Sequence, residues 1–252
     1  MNLRNLLRSM RSYRNGSAQL ERGWESMFYL DANQTYRVSE LDAMEWLMHG
    51  FGTRQAEIPA RFRRLATLKQ IHSAECVAAA GRGGVLGTGD ALLENTPGAV
   101  VAVKTADCVP LLLVDPIHRA VAAVHAGWRG TAAGIAQSAV MALGAQFGSR
   151  AGDLHAGLGP AIGKCCYEVG AEVAAQFGVD GRAHIDLTET VRRQLEAAGV
   201  DGQRIYVSGL CTKCRAGEFH SFRRDGAAAG RLYSFAGIRE TGPAAIASTG
   251  LQ

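Results

Sequence analysis

Cys108 and His125 stand 17 residues apart, each at the end of an apolar run that reads as a buried strand. Ala99 to Val103 is apolar and β-branched before the chain turns polar at Thr105–Asp107. Leu111 to Val114 and Ala120 to Val124 are two further runs, separated by a Pro-containing turn over Asp115–Arg119. His72, 36 residues before Cys108, completes a set of two imidazoles and one thiol. That inventory suits a catalytic zinc ion, which commonly takes three protein ligands and keeps a fourth position open. Short buried strands would hold such groups in fixed geometry. The spacing is not that of a zinc finger, so the three must meet by tertiary folding. Two other readings therefore stay open. Cys108 could be a nucleophile with His125 as its base. Alternatively, both could be ordinary core residues, since free cysteine is often buried and a lone histidine often just satisfies carbonyls.

Two other groups could carry chemistry. Cys165, Cys166, Cys211 and Cys214 include a C-x-x-C and could in principle form a Zn–S₄ site. Adjacent cysteines on an extended chain point to opposite faces, however, which favours reading the four as reduced, buried thiols. Arg54, Lys104, Arg129, Arg223 and Arg224 form a basic set. Arginine's planar fork suits phosphate, and Arg54 and Arg129 sit in glycine-bounded loops beside histidines. Gly157 to Gly163 is glycine-rich but lacks both the P-loop and the dinucleotide-binding fingerprint, and reads as a tight turn.

The elements that must position these residues follow in order. Trp24 to Tyr36 reads as a strand or hairpin, and a short helical piece follows around Leu41–Met48. His49–Arg54 reads as a loop, Arg61–Leu68 as a short helix or an edge strand, Cys76–Ala80 as a strand, and Gly81–Gly89 as a glycine-rich connection. Gly130–Phe147 has the period of one amphipathic helix. Asp153–Leu158 reads as a strand, Glu168–Phe177 and Thr188–Ala198 as helices, the second capped by Thr188 and stopped at Gly199. Arg204–Val207 and Gly230–Ile238 close the chain as strands. The pattern predicts an α+β fold, one domain over residues 21–252 with mixed β-sheets flanked by helices.

The chain has 252 residues, 47% of them hydrophobic and 20% charged, the profile of an ordinary soluble domain. A net charge of +4 is too small and too scattered to argue for nucleic acid. No apolar run approaches the roughly 20 residues of a membrane span. Six cysteines without a secretory signal read as reduced thiols, with the cytoplasm as the expected compartment. Residues 1–20 form a basic extension with Arg4, Arg8, Arg11 and Arg14. It is acid-poor and amphipathic, as organellar transit peptides are, and is read here as a frayed extension.

Several stretches together resemble one family. They are HGFGTR (His49–Arg54), KQIHSAEC (Lys69–Cys76), GDALL (Gly89–Leu93), PGAVVAVKTADCVPLLLVD (Pro97–Asp115), AAVHAGWRGTAAGI (Ala122–Ile135), GLGPAIGKCCYEVG (Gly157–Gly170), and CTKC followed by FHSFRRDGAAAGR (Cys211–Arg231). They are similar to the laccase-domain, or multicopper polyphenol oxidoreductase, family, also described as zinc-dependent purine nucleoside phosphorylases. The resemblance implies that His72, Cys108 and His125 are zinc ligands and the catalytic centre, and that His49, Arg54 and Arg129 lie on the substrate or phosphate side. It implies phosphorolysis of adenosine, inosine and methylthioadenosine, with adenosine deamination. The implied partners are purine nucleosides and phosphate, and the default state is a monomer. An alternative that the family also implies is a metal-dependent amidase editing peptidoglycan precursors. Four-copper oxidase chemistry is not expected of seven histidines with no His-x-His pair, so any copper would bind adventitiously.

Three departures from the family pattern concern the pocket rather than the triad. Only 17 residues separate Arg54 from His72, a segment usually longer. Phe222 stands where the family has tyrosine, and Ala229 where threonine is common.

Overall fold

The strand Val109–Asp115 is buried at all seven of its positions, and the reason is layering. In the computed structural model, which describes residues 27–240, Leu111 and Leu113 pack with Ile135, Ala139, Leu143, Val191 and Leu195 of two helices. Leu112 and Val114 point the other way and pack with Phe51, Leu68, Val101 and Val103 of a second sheet. Side chains alternate across a strand. One that is covered on both faces therefore needs an unbroken apolar run instead of an alternating one. Three layers result: sheet, sheet and helices. Truncating one such leucine to alanine would cost about 2–5 kcal/mol.

The seven-stranded sheet runs Phe28–Leu30, Thr35–Val38, Leu47–Gly52, Leu232–Ile238, Val100–Thr105, Leu65–Lys69, Gly84–Thr88. Leu65–Lys69 pairs parallel with both neighbours, and the other pairings are antiparallel. The six-stranded sheet runs Ile205–Val207, His155–Leu158, Val109–Asp115, Ala120–Ala126, Ala91–Glu94, Cys76–Ala78, with parallel pairs at its two edges. The fold is α+β with mixed sheets flanked by helices. Ala126 pairs with Val109 and His125 with Pro110, so the antiparallel register alone brings His125 beside the residue that precedes Val109, which is Cys108.

Several local expectations change. The piece at Leu41–Met48 divides into a helical turn, Ser39–Asp42, and the start of the strand Leu47–Gly52. His49–Gly52 is thus strand, not loop; its glycines allow close packing, since a Cβ on Gly50 would run into Phe235 and Thr35. The glycine-rich connection contains a strand, Gly84–Thr88, whose edge position leaves it largely exposed. Leu65–Lys69 is an interior strand, and the helical turn before it is Ile58–Arg61. The helix expected over Gly130–Phe147 is broken at Gly134, which takes φ +79° between Trp128–Ala132 and Ile135–Phe147. Glu168–Val169 forms a short strand ahead of the helix Ala171–Ala175. The helix Leu187–Ala197 is capped by Asp186, whose carboxylate accepts from Glu189 N at 2.9 Å, and not by Thr188. The basic extension of residues 1–20 lies outside the described residues.

Candidate metal centre

Cys108 and His125 come from adjacent strand ends of the six-stranded sheet, and His72 comes from the loop that crosses from Leu65–Lys69 to Cys76–Ala78. The donor atoms of His72, Cys108 and His125 all lie within 4.8 Å of one another. The two imidazole rings meet edge to face, with centroids 4.8 Å apart at 75°. His125 is 3% exposed, Cys108 is partly exposed and His72 is exposed. The cluster is therefore anchored in the core on one side and open on the other. Gly127 makes the approach possible. A Cβ there would lie 2.7 Å from His72 Cδ2 and 3.1 Å from the Cys108 sulfur.

Asp90 organises the cluster, and sequence reasoning gave it no role. Its buried carboxylate accepts from the backbone N–H groups of His72 at 3.0 Å and Ser73 at 2.6 Å, and from the Ser73 hydroxyl at 2.7 Å. It also accepts from His125 Nδ1 at 2.8 Å. Only a donor satisfies a carboxylate, so Nδ1 of His125 carries a proton and Nε2 is the ring nitrogen that faces the cluster, free to ligate once its own proton is lost. One acid thus shapes the His72 loop, where His72 itself takes φ +60°, and sets the His125 tautomer. The available signal was GDALL, an acid following a glycine at the mouth of a strand.

The electrostatics follow from these contacts. Burial would push the Cys108 thiol up, but hydrogen bonds from His125 and His72 outweigh it and bring the thiol down to about 6. Burial would likewise lower His125, and Asp90 and Cys108 instead raise it to about 9. Asp90, despite its burial, is held at about 2 by His125 and Ser73. In the protein without a metal ion, these groups make a thiolate–imidazolium–carboxylate chain at neutral pH. That is the protonation chemistry of a nucleophile pair. It is also a ligand set whose thiol ionises readily and whose imidazole already has its outer nitrogen held by a carboxylate. Two imidazoles, one thiolate and an open side fit a four-coordinate zinc ion with one exchangeable position.

The open side gives onto a cavity of about 660 Å³. Five cationic residues line it: Lys69, Lys104, Arg129, Arg223 and Arg231. Asp107 is its one acidic lining residue among the described residues, and its carboxylate is already engaged by the Thr212 hydroxyl and the Arg223 backbone N–H, both at 2.6 Å. Trp128, Tyr167 and Phe222 supply aromatic surface. The Arg129 guanidinium stacks over the Trp128 ring at 4.2 Å and that of Arg223 over Tyr167 at 5.1 Å. Such a wall offers both cationic groups for an anion and flat apolar surface for a ring.

Of the basic residues singled out in the sequence, Lys104, Arg129 and Arg223 line this cavity, joined by Lys69 and Arg231. Arg54 does not; it is exposed and its guanidinium donates to Ala216 O at 2.8 Å. Arg224 turns away, donating to the carbonyls of Thr212, Lys213 and Phe219. His49, expected on the substrate side, is fully buried elsewhere. Its Nε2 accepts from Val38 N at 3.0 Å, and burial and Arg37 lower it to about 3. It serves as a neutral staple between two strands.

The comparisons agree with this architecture. The profile of the family described as multi-copper polyphenol oxidoreductase laccase matches residues 24–239. A purine nucleoside phosphorylase of Deinococcus radiodurans is 40% identical over 183 residues, 69% of this chain and 70% of that protein. Adenosine deaminase RL5, from an unknown prokaryotic organism, is 36% identical over 229 residues, 84% of this chain and 82% of that protein. The crystal structure of YlmD from Geobacillus stearothermophilus superposes with a TM-score of 0.78 at 29% identity, covering 85% of this chain and 99% of that one.

Proposed function

The chain belongs to the multi-copper polyphenol oxidoreductase laccase family, and from that premise we propose that it is a zinc-dependent purine nucleoside phosphorylase. Its substrates are adenosine, inosine and methylthioadenosine, and it deaminates adenosine as a side activity. His72, Cys108 and His125 hold the zinc. The observation that carries this reading is the placement of a two-imidazole, one-thiolate cluster at the wall of a cavity lined by five cations. A bound zinc ion supplies Lewis-acid polarisation and can lower the pKa of a water to about 7.

The chain's own residues do the rest. Lys69, Lys104 and Arg129 gather phosphate, and their charge offsets the repulsion an anionic nucleophile meets as it approaches. Trp128, Tyr167 and Phe222 hold the purine plane, so that a phosphate oxygen and the anomeric carbon face one another. The new bond joins that oxygen to C1′ as the bond from C1′ to the purine nitrogen breaks; the electron pair leaves with the purine, which takes up the proton that hydrogen phosphate gives up. Asp90 keeps the His125 ring fixed throughout. In deamination the same cavity presents C6 of adenine to water, and ammonia leaves. Two relatives, one named for each reaction, support assigning both to this cavity.

The donor set does not fit multi-copper oxidation. Among the described residues only one group of possible donors contains histidine, and one site cannot pass four electrons to oxygen. Copper at this site would be adventitious. The protein is read as a cytoplasmic monomer; among the described residues no helix is long and apolar enough to cross a membrane.

The test is inosine turnover by the zinc-loaded protein with and without phosphate. Hypoxanthine and ribose 1-phosphate are expected only with phosphate present. Turnover of muropeptide-type amides with no cleavage of nucleosides would replace this reading by the amidase.

A further inference from the structure

Two loops bring four thiols to one point. The donor sulfurs of Cys165, Cys166, Cys211 and Cys214 all lie within 4.8 Å of one another. Cys214 is 3.7 Å from Cys165 and 3.4 Å from Cys166, sulfur to sulfur. Adjacent Cys165 and Cys166 were expected to point apart, as they would on an extended chain. They sit instead in a turn, where Cys166 N and Tyr167 N both donate to Gly163 O. A turn carries both sulfurs to the same side, and that objection to a shared ligand falls away.

Packing does not account for the cluster. A thiol used as a small apolar filler is buried, yet Cys165 and Cys214 are exposed and the other two only partly buried. Disulfide bonding does not account for it either, because all four are free and a bond needs sulfurs about 2.05 Å apart. A tetrahedral ion with metal–sulfur bonds of about 2.3 Å sets its ligand sulfurs about 3.8 Å apart. The two loops are also in register before any ligand binds. Ala161 and Cys211 form a parallel bridge, Thr212 N donates to Ala161 O at 3.0 Å, and Gly163 N donates to the Cys211 sulfur at 3.3 Å. Lys164 and Lys213 stand inside the two ligating turns and offset the surplus negative charge of four thiolates around a dication.

We propose that Cys165, Cys166, Cys211 and Cys214 bind a second zinc ion, closed and structural, each thiol giving up its proton to solvent on ligation. With four protein donors it has no open position and takes no part in turnover. Its work is to clamp the two loops that wall the cavity. One loop carries Ile162 and Tyr167 into the lining. The other carries Thr212, whose hydroxyl holds the carboxylate of Asp107 beside Cys108 at 2.6 Å.

Metal-free full-length Cys108→Ala protein, kept reduced and titrated with cobalt(II), tests the site with the triad disabled. We expect about one tightly bound equivalent per chain with the intense sulfur-to-metal charge-transfer bands of a four-thiolate tetrahedral centre. The same titration of Cys108→Ala carrying Cys211→Ser and Cys214→Ser should lose that spectrum. Should the combined variant fail to fold, the Cys108→Ala spectrum decides by itself. No cobalt uptake, or a spectrum showing fewer than four sulfur donors, would overturn the proposal, as would an intramolecular disulfide among these cysteines in protein isolated under reductant.

Discussion

The two clusters of potential metal ligands differ in almost every respect except compactness. His72, Cys108 and His125 mix nitrogen and sulfur, sit at strand ends or in a loop pinned by a buried acid, and face a cationic cavity. The four cysteines are all sulfur, come from two surface turns, and are held in register by backbone hydrogen bonds and by the Gly163 N–H donated to the Cys211 sulfur. The first is oriented by a buried carboxylate, Asp90; the second has a backbone N–H on one sulfur and no such acid among its contacts in the described residues. The contrast teaches where a fold places precision. A centre that must present an open coordination position to a substrate is built on rigid elements, with its tautomer and loop fixed in advance. A centre that only ties two loops together needs four donors and little else.

The contrast can be broken most forcefully at Cys108. Cys108→Ala should lower phosphorolysis by about 10³-fold, the scale of removing a principal electrostatic element from a site, while circular dichroism shows a folded protein. Cys211→Ser should do the reverse, lowering the melting temperature and leaving measurable turnover per folded chain. Equal loss of activity in both would erase the distinction.

Asp90→Asn comes next. The amide keeps the size but cannot accept all the hydrogen bonds now made to the carboxylate, and it no longer compels His125 to donate from Nδ1. Metal affinity or kcat/KM should fall by about 10–100-fold, read from a chelator-competition titration. An unchanged affinity would remove Asp90 from the account.

The ionisation of Cys108 gives a subtler test. In metal-free protein its thiol lies near 6 because the hydrogen bonds from His125 and His72 outweigh burial. Its folded value is depressed, so the thiolate persists at neutral pH and is lost only as pH falls through about 6. Iodoacetamide labelling of Cys108, followed by mass spectrometry, should rise through pH 6 and level off by pH 7, and zinc should protect it. A rate that climbs steadily through pH 8–9 would show an ordinary thiol.

The smallest effect belongs to His49→Gln. This histidine lies outside the cavity lining, and its ring accepts from Val38 N. Turnover should stay within about threefold, and stability should drop by about 1–3 kcal/mol if the glutamine fails to replace that acceptor.

How far the sequence anticipated this depends on the range of the interaction involved. Leu111–Val114 and Ala120–Val124 were legible because a strand covered on both faces needs an unbroken apolar run, and the register of their pairing follows from a short turn. Cys108 and His125 were therefore visible as neighbours. His49 was read as part of a loop because two glycines follow it closely, whereas here Gly50 and Gly52 serve close packing within a strand. Asp90 could not be read, since its partners lie 17, 18 and 35 positions away. The Cys165–Cys166 pair was misjudged for a local reason, a turn taken for an extended segment.

The central claim is that the three-residue centre, loaded with zinc, drives phosphate-dependent cleavage of purine nucleosides. It is tested most directly by returning zinc to metal-stripped protein while following ribose 1-phosphate formation from inosine, wild type beside Cys108→Ala. The account predicts that activity returns with zinc in the wild type and stays lost in Cys108→Ala. Metal-stripped wild type as active as the loaded form, or a Cys108→Ala protein that recovers equally, would contradict it.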